Sequence, residues 1–322
     1  MLKKVELGLS QIKYKGKSIG DDIRIEVEIL DKFIRIDKNI KAGTTVKLDK
    51  EIGSITTDQK STTTNVKITI IEKDILFNNV GNIEKFIKVD VNSPKPQEFV
   101  YEIELKETHS IFGKLWGKSV AIFEVTIEAR ILDVIKYIPD ENNGWLNVKF
   151  SDNRTIPLPQ CLKLKLDRIE RGREYLTILE GAYRGQAASV KLKDNGDSYL
   201  STDIQHESMA RLKYSISKRK LIIGNDEYQA TDHADSPWEK GLYDIEIPDY
   251  PHEDRRNYVK ISSRFKTWFR IGHNGERYLH TGRASLGCIT ITEIEKWNEI
   301  YNKLIKARKG DSASIGVLEV VD

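Results

Sequence analysis

The chain has 322 residues, 39% of them apolar, and a formal net charge of +3. That is enough apolar content for cores in two or three domains, and too little positive charge to argue for a nucleic-acid partner. No stretch approaches the roughly 18 apolar residues that a membrane-spanning helix needs, so no membrane span is expected.

The chain opens Met1-Leu2-Lys3-Lys4-Val5-Glu6-Leu7-Gly8, a basic start with no apolar run behind it, which predicts no secretory signal peptide. Residues 1–136 read as strands. Ile23, Ile25, Val27 and Ile29 alternate with Arg24, Glu26 and Glu28. Val66, Ile68 and Ile70 repeat the pattern, as do Ile87, Val89 and Val91, and the run from Phe123 to Ile131 is the longest. Period-two alternation in many short runs predicts an antiparallel β-sandwich, an accessory or targeting domain without a catalytic cluster. His109 reads as a solvated loop histidine.

Turn formers at Ile138-Pro139-Asp140-Glu141-Asn142-Asn143-Gly144 mark a break. Residues 137–207 then carry short runs at 145–150, 162–166, 175–179 and 188–192, a spacing that fits a small SH3-like β-barrel. Such barrels are not diagnostic of function. Trp145, Tyr175 and Tyr183 could contact a ligand, but aromatics of this kind more often pack in a core or rim. Cys161 alternates with lysines against leucines and reads as an inert small hydrophobe.

The third segment, 208–322, begins with a predicted hairpin over 212–216 and 220–223, followed by a strand at 242–247. His252 lies in the loop Asp249-Tyr250-Pro251-His252, and His273 follows Trp268-Phe269-Arg270-Ile271-Gly272. Next comes Arg277-Tyr278-Leu279-His280-Thr281-Gly282-Arg283-Ala284-Ser285-Leu286-Gly287-Cys288-Ile289-Thr290. If 277–280 and 285–292 pair as antiparallel strands, His280 faces Cys288 with Cβ atoms roughly 5 Å apart. The imidazole would then hold the sulfur as a thiolate, and Gly287, lacking Cβ, would let a carbonyl approach the backbone. Thr292-Glu293-Ile294-Glu295 reads as a capping box, and Ile294, Trp297, Tyr301 and Leu304 as the buried stripe of the helix it opens. A last strand is predicted at 314–321. The two cysteines fall in different predicted domains, which argues against a structural disulfide. No His, Cys or carboxylate spacing suggests a metal, and no cofactor is expected.

The segment 208–322 resembles the L,D-transpeptidases of bacterial cell-wall metabolism, whose signature is a histidine, a variable gap and Ser/Thr-His-Gly-Cys. Here Ser285-Leu286-Gly287-Cys288 stands in that place, a form similar to the branch that includes type VI secretion effectors attacking peptidoglycan. The resemblance implies a transpeptidase-like β-rich domain with one packed helix, Cys288 as nucleophile and His280 as base. It implies Ser285 shaping the turn, and the N–H groups of Gly287 and Cys288 holding an oxyanion. His273 is a second candidate base; His280 is favoured because it ends the strand entering the turn and needs no loop to fold back. The family often has arginine where Thr290 stands, so Arg270 and Arg283 are candidate carboxylate contacts, with Tyr278, His252 and His273 as further substrate-binding candidates. The implied substrate is a peptidoglycan stem peptide, with water or an amine as acyl acceptor.

With no signal peptide expected, the reading is of a protein made in the cytoplasm and acting on the wall or periplasm after non-classical export. A secretion or injection machine is a candidate partner for such an antibacterial effector. The alternative is a non-enzymatic wall-binding or structural component of a phage or injection machine, which would not need the Cys288–His280 pair.

Overall fold

The computed structural model describes residues 1–73, 78–106, 120–233, 235–253 and 257–322; His109 lies outside them. The protein is mainly β, with 57% of residues in strand and 5% in helix. No helix is long and apolar enough to cross a membrane. The chain divides into two compact units, Met1–Val134 and Ile135–Asp322.

The first unit holds β1 (Lys3–Gly16), β2 (Asp22–Ile29), β3 (Lys32–Asn39), β4 (Thr45–Thr57), β5 (Ser61–Glu72), β6 (Asn79–Asp90), β7 (Gln97–Lys106) and all but the last three residues of β8 (Val120–Tyr137). One sheet runs β3-β2-β5-β6 and the other β7-β8-β1-β4, and every pairing is antiparallel. The alternation does the folding. Ile23, Ile25, Val27 and Ile29 turn inward to meet Val5, Leu7 and Leu9 in one dry core, as do Val66, Ile68, Ile70 and Phe123. Each such side chain contributes about 1.5–3 kcal/mol of burial. This is the expected sandwich.

The second unit begins with β9 (Trp145–Phe150), β10 (Thr155–Pro159), β11 (Lys163–Glu170), β12 (Arg173–Ile178) and β13 (Ala187–Lys191). They follow the order β10-β9-β13-β12-β11, and the pairings among them are antiparallel, in a nearly closed barrel-like sheet. Next come β14 (Glu207–Ser208), β15 (Ala210–Ser215), β16 (Lys220–Ile223), β17 (Asp226–Thr231), β18 (Gly241–Glu246), β19 (Phe269–Arg270), β20 (Tyr278–Thr281) and β21 (Ile289–Ile291). The helix α1 (Trp297–Leu304), β22 (Ala307–Arg308) and β23 (Ser314–Val321) close the chain. Their main sheet is ordered β18-β23-β15-β16-β17-β21-β20-β19.

The segments 137–207 and 208–322 thus lie inside one compact unit, and buried polar bonds join them. Arg308 donates to Glu180 at 2.9 Å and to the Cys161 carbonyl at 2.8 Å, and the Tyr301 hydroxyl donates to Gln160 at 2.8 Å. Trp145 is buried and donates its indole N–H to Thr267 at 3.1 Å. It is therefore a packing residue.

The helix stripe is as expected: Ile294, Trp297, Tyr301 and Leu304 are all buried. The capping box does not form. A 3₁₀ turn, Ile294–Lys296, precedes α1 and has no side-chain cap. Thr292 instead bonds the Gln229 carbonyl through both its N–H and hydroxyl, and the Glu293 carboxylate accepts the Gln229 N–H at 2.6 Å. Pairing with β17 has taken the groups a cap would use.

Candidate functional site

The expected hairpin is corrected by the register. Strands β20 and β21 pair in parallel, with Leu279 opposite Ile289, His280 opposite Thr290 and Thr281 opposite Ile291. Parallel neighbours ordinarily need a connection of about a dozen residues or more, and residues 282–288 make the return in fewer. Two features permit this. Gly287 sits at φ +114°, a conformation that side chains resist. The Ser285 hydroxyl donates to the Cys288 carbonyl at 2.6 Å and accepts the Gly287 N–H at 3.1 Å. Ser285 therefore shapes the turn.

That bond also revises the oxyanion assignment. The Gly287 N–H is committed to Ser285, whereas the Cys288 N–H has no partner among the described residues. Among the described residues, the Cys288 N–H is thus the one of the two expected donors left without a partner.

Continuing the register puts Cys288 opposite Tyr278, on the same face as His280 but one pleat repeat away. The backbones of such diagonal neighbours lie roughly 7–8 Å apart. His280 does not bond the sulfur. Its Nδ1–H donates to the Thr281 carbonyl at 2.9 Å, which fixes the tautomer and leaves the lone pair on Nε2. Nε2 then accepts the Thr290 hydroxyl at 3.1 Å.

The charge states differ from the expected thiolate–imidazolium pair as well. Burial of His280 lowers its pKa to about 4, against the Thr281 bond that raises it. Burial also raises the Cys288 pKa above its usual value; a main-chain hydrogen bond from Tyr278 and the field of Arg277 act in the opposite direction. The resting pair is a thiol and a neutral imidazole, because desolvation outweighs the partners on both.

Arg277 was not singled out in the sequence. Its guanidinium stacks over Trp238 at 4.8 Å, donates to Ser236 at 3.2 Å and lies beside the Gly287 backbone. It is the cation acting on the sulfur. Position alone offered a signal, since Arg277 directly precedes the histidine strand.

The remaining candidates fall into three groups. His273 is exposed and bonded at both ring nitrogens, to Asp244 at 2.9 Å and Glu246 at 2.8 Å. These carboxylates raise its pKa, and both ring nitrogens are engaged with them. Arg270 is tied to Asp249 at 2.7 Å and to the Tyr278 hydroxyl at 3.2 Å. Tyr278 is buried and donates to Glu276 at 2.6 Å, so it packs the site from within. Arg283 alone of the two candidate arginines is exposed without a partner among the described residues.

His252 belongs to an aromatic stack. Its ring stacks on Trp268 at 4.0 Å, nearly parallel at 9°, and Trp268 in turn stacks on His280 at 4.1 Å. Burial, and then the nearness of His280, lower the His252 pKa to about 4. Trp268 thus backs His280 with an apolar plate, a contact that sequence spacing did not reveal. No metal-ligating cluster of three or more His, Cys, Asp or Glu occurs among the described residues.

No family model matches the chain, and no curated protein does. Among solved structures, human GIVD cytosolic phospholipase A2 aligns with 60% of the chain at 8% identity and a TM-score of 0.24. The same enzyme with methyl gamma-linolenyl fluorophosphonate inhibitor and terbium chloride aligns with 67%, at 8% identity and a TM-score of 0.22. The chain spans about a third of the length of those structures, 31% and 35%. Likeness at this level carries no argument about fold or activity.

Proposed function

We propose that the chain is a cysteine acyltransferase of peptidoglycan stem peptides, an L,D-transpeptidase or L,D-carboxypeptidase working through a Cys288 acyl-enzyme. The observation that carries the reading is the Cys288 thiol with an unpartnered N–H, on one sheet face with a neutral imidazole of fixed tautomer. A side-chain shift of His280 from Thr290 toward Cys288 brings Nε2 to the thiol proton. The sulfur then attacks the carbonyl of the third stem residue, and the Cys288 N–H receives the oxyanion while Arg277 supplies field. Collapse breaks the C–N bond to D-alanine, whose amine takes the proton from imidazolium. Water or an amine attacks the thioester and restores the thiol.

The reading extends to an antibacterial effector delivered by an injection machine, with the β-sandwich as the loading module. Mass spectrometry of muropeptides incubated with the protein tests the chemistry. Loss of a D-alanine mass, and carbapenem adduction at Cys288, are expected. Equal product from the wild type and Cys288→Ala would sink the enzyme reading and leave the wall-binding alternative.

A further inference from the structure

The barrel-like sheet of the second unit carries a cavity of a different chemistry. Its volume is about 430 Å³, within the range of small-molecule sites, and its walls come from β9, β11, β12 and β13. Register aligns the main side chains. Arg168 lies opposite Tyr175, Tyr175 opposite Ser189, and Ser189 opposite Lys149, so the four form one cross-strand row on one face. Arg173, two residues before Tyr175, shares that face. A bulge inserts Asp167 between Leu166 and Arg168. Without the extra residue a carboxylate, not a guanidinium, would stand opposite Tyr175. Strand β13 pairs with β9 at only two positions, and Ser151 and Ala187, just past that pairing, help to wall the cavity.

The lining carries three cations, Lys149, Arg168 and Arg173, against one carboxylate, Asp167. That carboxylate is already engaged: the Thr177 hydroxyl donates to it at 2.7 Å and the Lys165 ammonium pairs with it at 3.3 Å. Arg173 is held along one edge. Its Nε and Nη2 donate to the Ser189 hydroxyl at 3.2 and 3.0 Å, and Nη2 also to the Ser189 carbonyl at 3.1 Å. The buried Ser189 hydroxyl donates in turn to the Lys149 carbonyl at 3.3 Å. Arg168 lies 4.0 Å over the Tyr175 ring and donates only its Nε, to Glu170 at 3.3 Å. Among the described residues, the Arg173 Nη1, the terminal nitrogens of Arg168, the Lys149 ammonium and the Tyr175 hydroxyl have no hydrogen-bond partner. Free donors on a fixed frame call for an anion. A carboxylate satisfies one guanidinium fork, whereas a phosphomonoester, with three terminal oxygens and about −1.5 to −2 of charge at pH 7, can meet all three cations. Phe150, Leu176, Ala187 and Ala188 supply an apolar remainder that suits the organic body of an ester. One aromatic ring, covered by Arg168 on one face, is not the stacking series that a nucleic-acid strand uses.

We infer that this cavity binds a phosphomonoester of a small organic molecule, its phosphate held between Lys149, Arg168 and Arg173. The site uses none of the residues around Cys288, so it stands or falls apart from the proposed acyl transfer.

Isothermal titration calorimetry of the full chain with phenyl phosphate tests this, with inorganic phosphate, benzenesulfonate and a short single-stranded oligothymidylate in parallel. Phenyl phosphate is expected to bind at one site, more weakly as salt rises, and about tenfold more tightly than the singly charged sulfonate. Lys149→Ala and Arg168→Ala, both at exposed side chains, should each weaken binding about three- to tenfold, and Arg173→Gln about tenfold or more. Lys218→Ala, exposed and outside the cavity, should change it less than about twofold, and Cys288→Ala should bind as the wild type does. No saturable binding, or an affinity unmoved by Lys149→Ala and Arg168→Ala, would overturn the inference even if Arg173→Gln failed to fold. A sulfonate that matched phenyl phosphate would overturn the choice of phosphate, and inorganic phosphate that matched it would overturn the organic ester. An oligothymidylate bound more tightly than the ester would make the face a nucleic-acid surface instead.

Discussion

The two cysteines make a controlled comparison. Both are free and buried, both have a raised pKa, and each has a histidine near its main chain or on its sheet face. At Cys161 burial is complete and pushes the thiol to about 11. There His206 and Arg308 both bond the cysteine's carbonyl, at 2.8 Å, and not its sulfur, while Arg308 pairs with Glu180. Polar groups at Cys161 hold the backbone, which sits at φ +63°. At Cys288 the polar groups address the sulfur instead: a main-chain hydrogen bond from Tyr278 and the Arg277 field, with an N–H that has no partner among the described residues and a neutral imidazole one pleat away. Next to it, Leu286 is 94% exposed at the tip of the turn. The difference teaches that a cysteine's chemistry follows from which of its atoms the neighbours address.

The largest contrast is catalytic. Cys288→Ala should lower stem-peptide turnover about 10⁴-fold or more, whereas Cys161→Ala should leave it within about twofold and cost about 1–2 kcal/mol of stability. Rates from muropeptide mass spectrometry and urea unfolding measure both, and similar rate losses for the two would erase the comparison. The stability contrast runs the other way. Arg308→Ala takes the guanidinium from the buried Glu180 carboxylate and leaves the Cys161 carbonyl to His206 alone, an expected loss of about 3–5 kcal/mol in urea melts. His280→Ala should reduce kcat about 10²- to 10³-fold, and His273→Ala only a few-fold, since its ring is held between two carboxylates. A larger loss for His273→Ala would reverse the assignment of the base.

These expectations mark what could be read from the chain. Ile23, Ile25, Val27 and Ile29 specify a strand with one dry face without help from elsewhere, so the sandwich was legible. So were the stripe from Ile294 to Leu304 and the strand Ser314–Val321. The direction of pairing between β20 and β21 was not. A short loop with two glycines suggested a hairpin, and only the Ser285 bonds and the Gly287 conformation let so short a loop reverse twice. The capping box failed for a similar reason. Thr292 and Glu293 had a tertiary partner in Gln229 that no local pattern encodes. Nearness of Cys288 to His280 suggests ionisation, and burial decides otherwise.

Burial sets the next prediction. With its folded pKa near 4, His280 stays neutral where an unfolded histidine near 6.5 takes a proton. The unfolded chain therefore binds more protons below pH 6.5, so stability falls as pH drops from about 6.5 to about 4, by a few kcal/mol at most. His252, lowered to about 4 as well, acts in the same sense. The acid limb of kcat/KM for stem-peptide turnover should fall near pH 4 to 5, and a limb at 6.5 would mean that the imidazole is solvated in the working enzyme.

The smallest effect concerns the hydroxyl that competes with the thiol. Thr290 is fully buried and its O–H donates to the Nε2 that must reach Cys288. Thr290→Val keeps the volume and removes that donor. Because the donated bond stabilises neutral imidazole, its loss should raise the His280 pKa and move the acid limb of kcat/KM upward by less than about one unit. Freed of its competitor, Nε2 should meet the thiol more often, so kcat/KM at neutral pH should rise about two- to threefold. Stability should fall by about 1 kcal/mol, since Nε2 is left without a partner until the thiol supplies one. A tenfold loss of kcat with the acid limb unmoved would show the reverse relation, in which Thr290 aims the ring at the sulfur and the comparison between the two cysteines must count it among the groups serving Cys288.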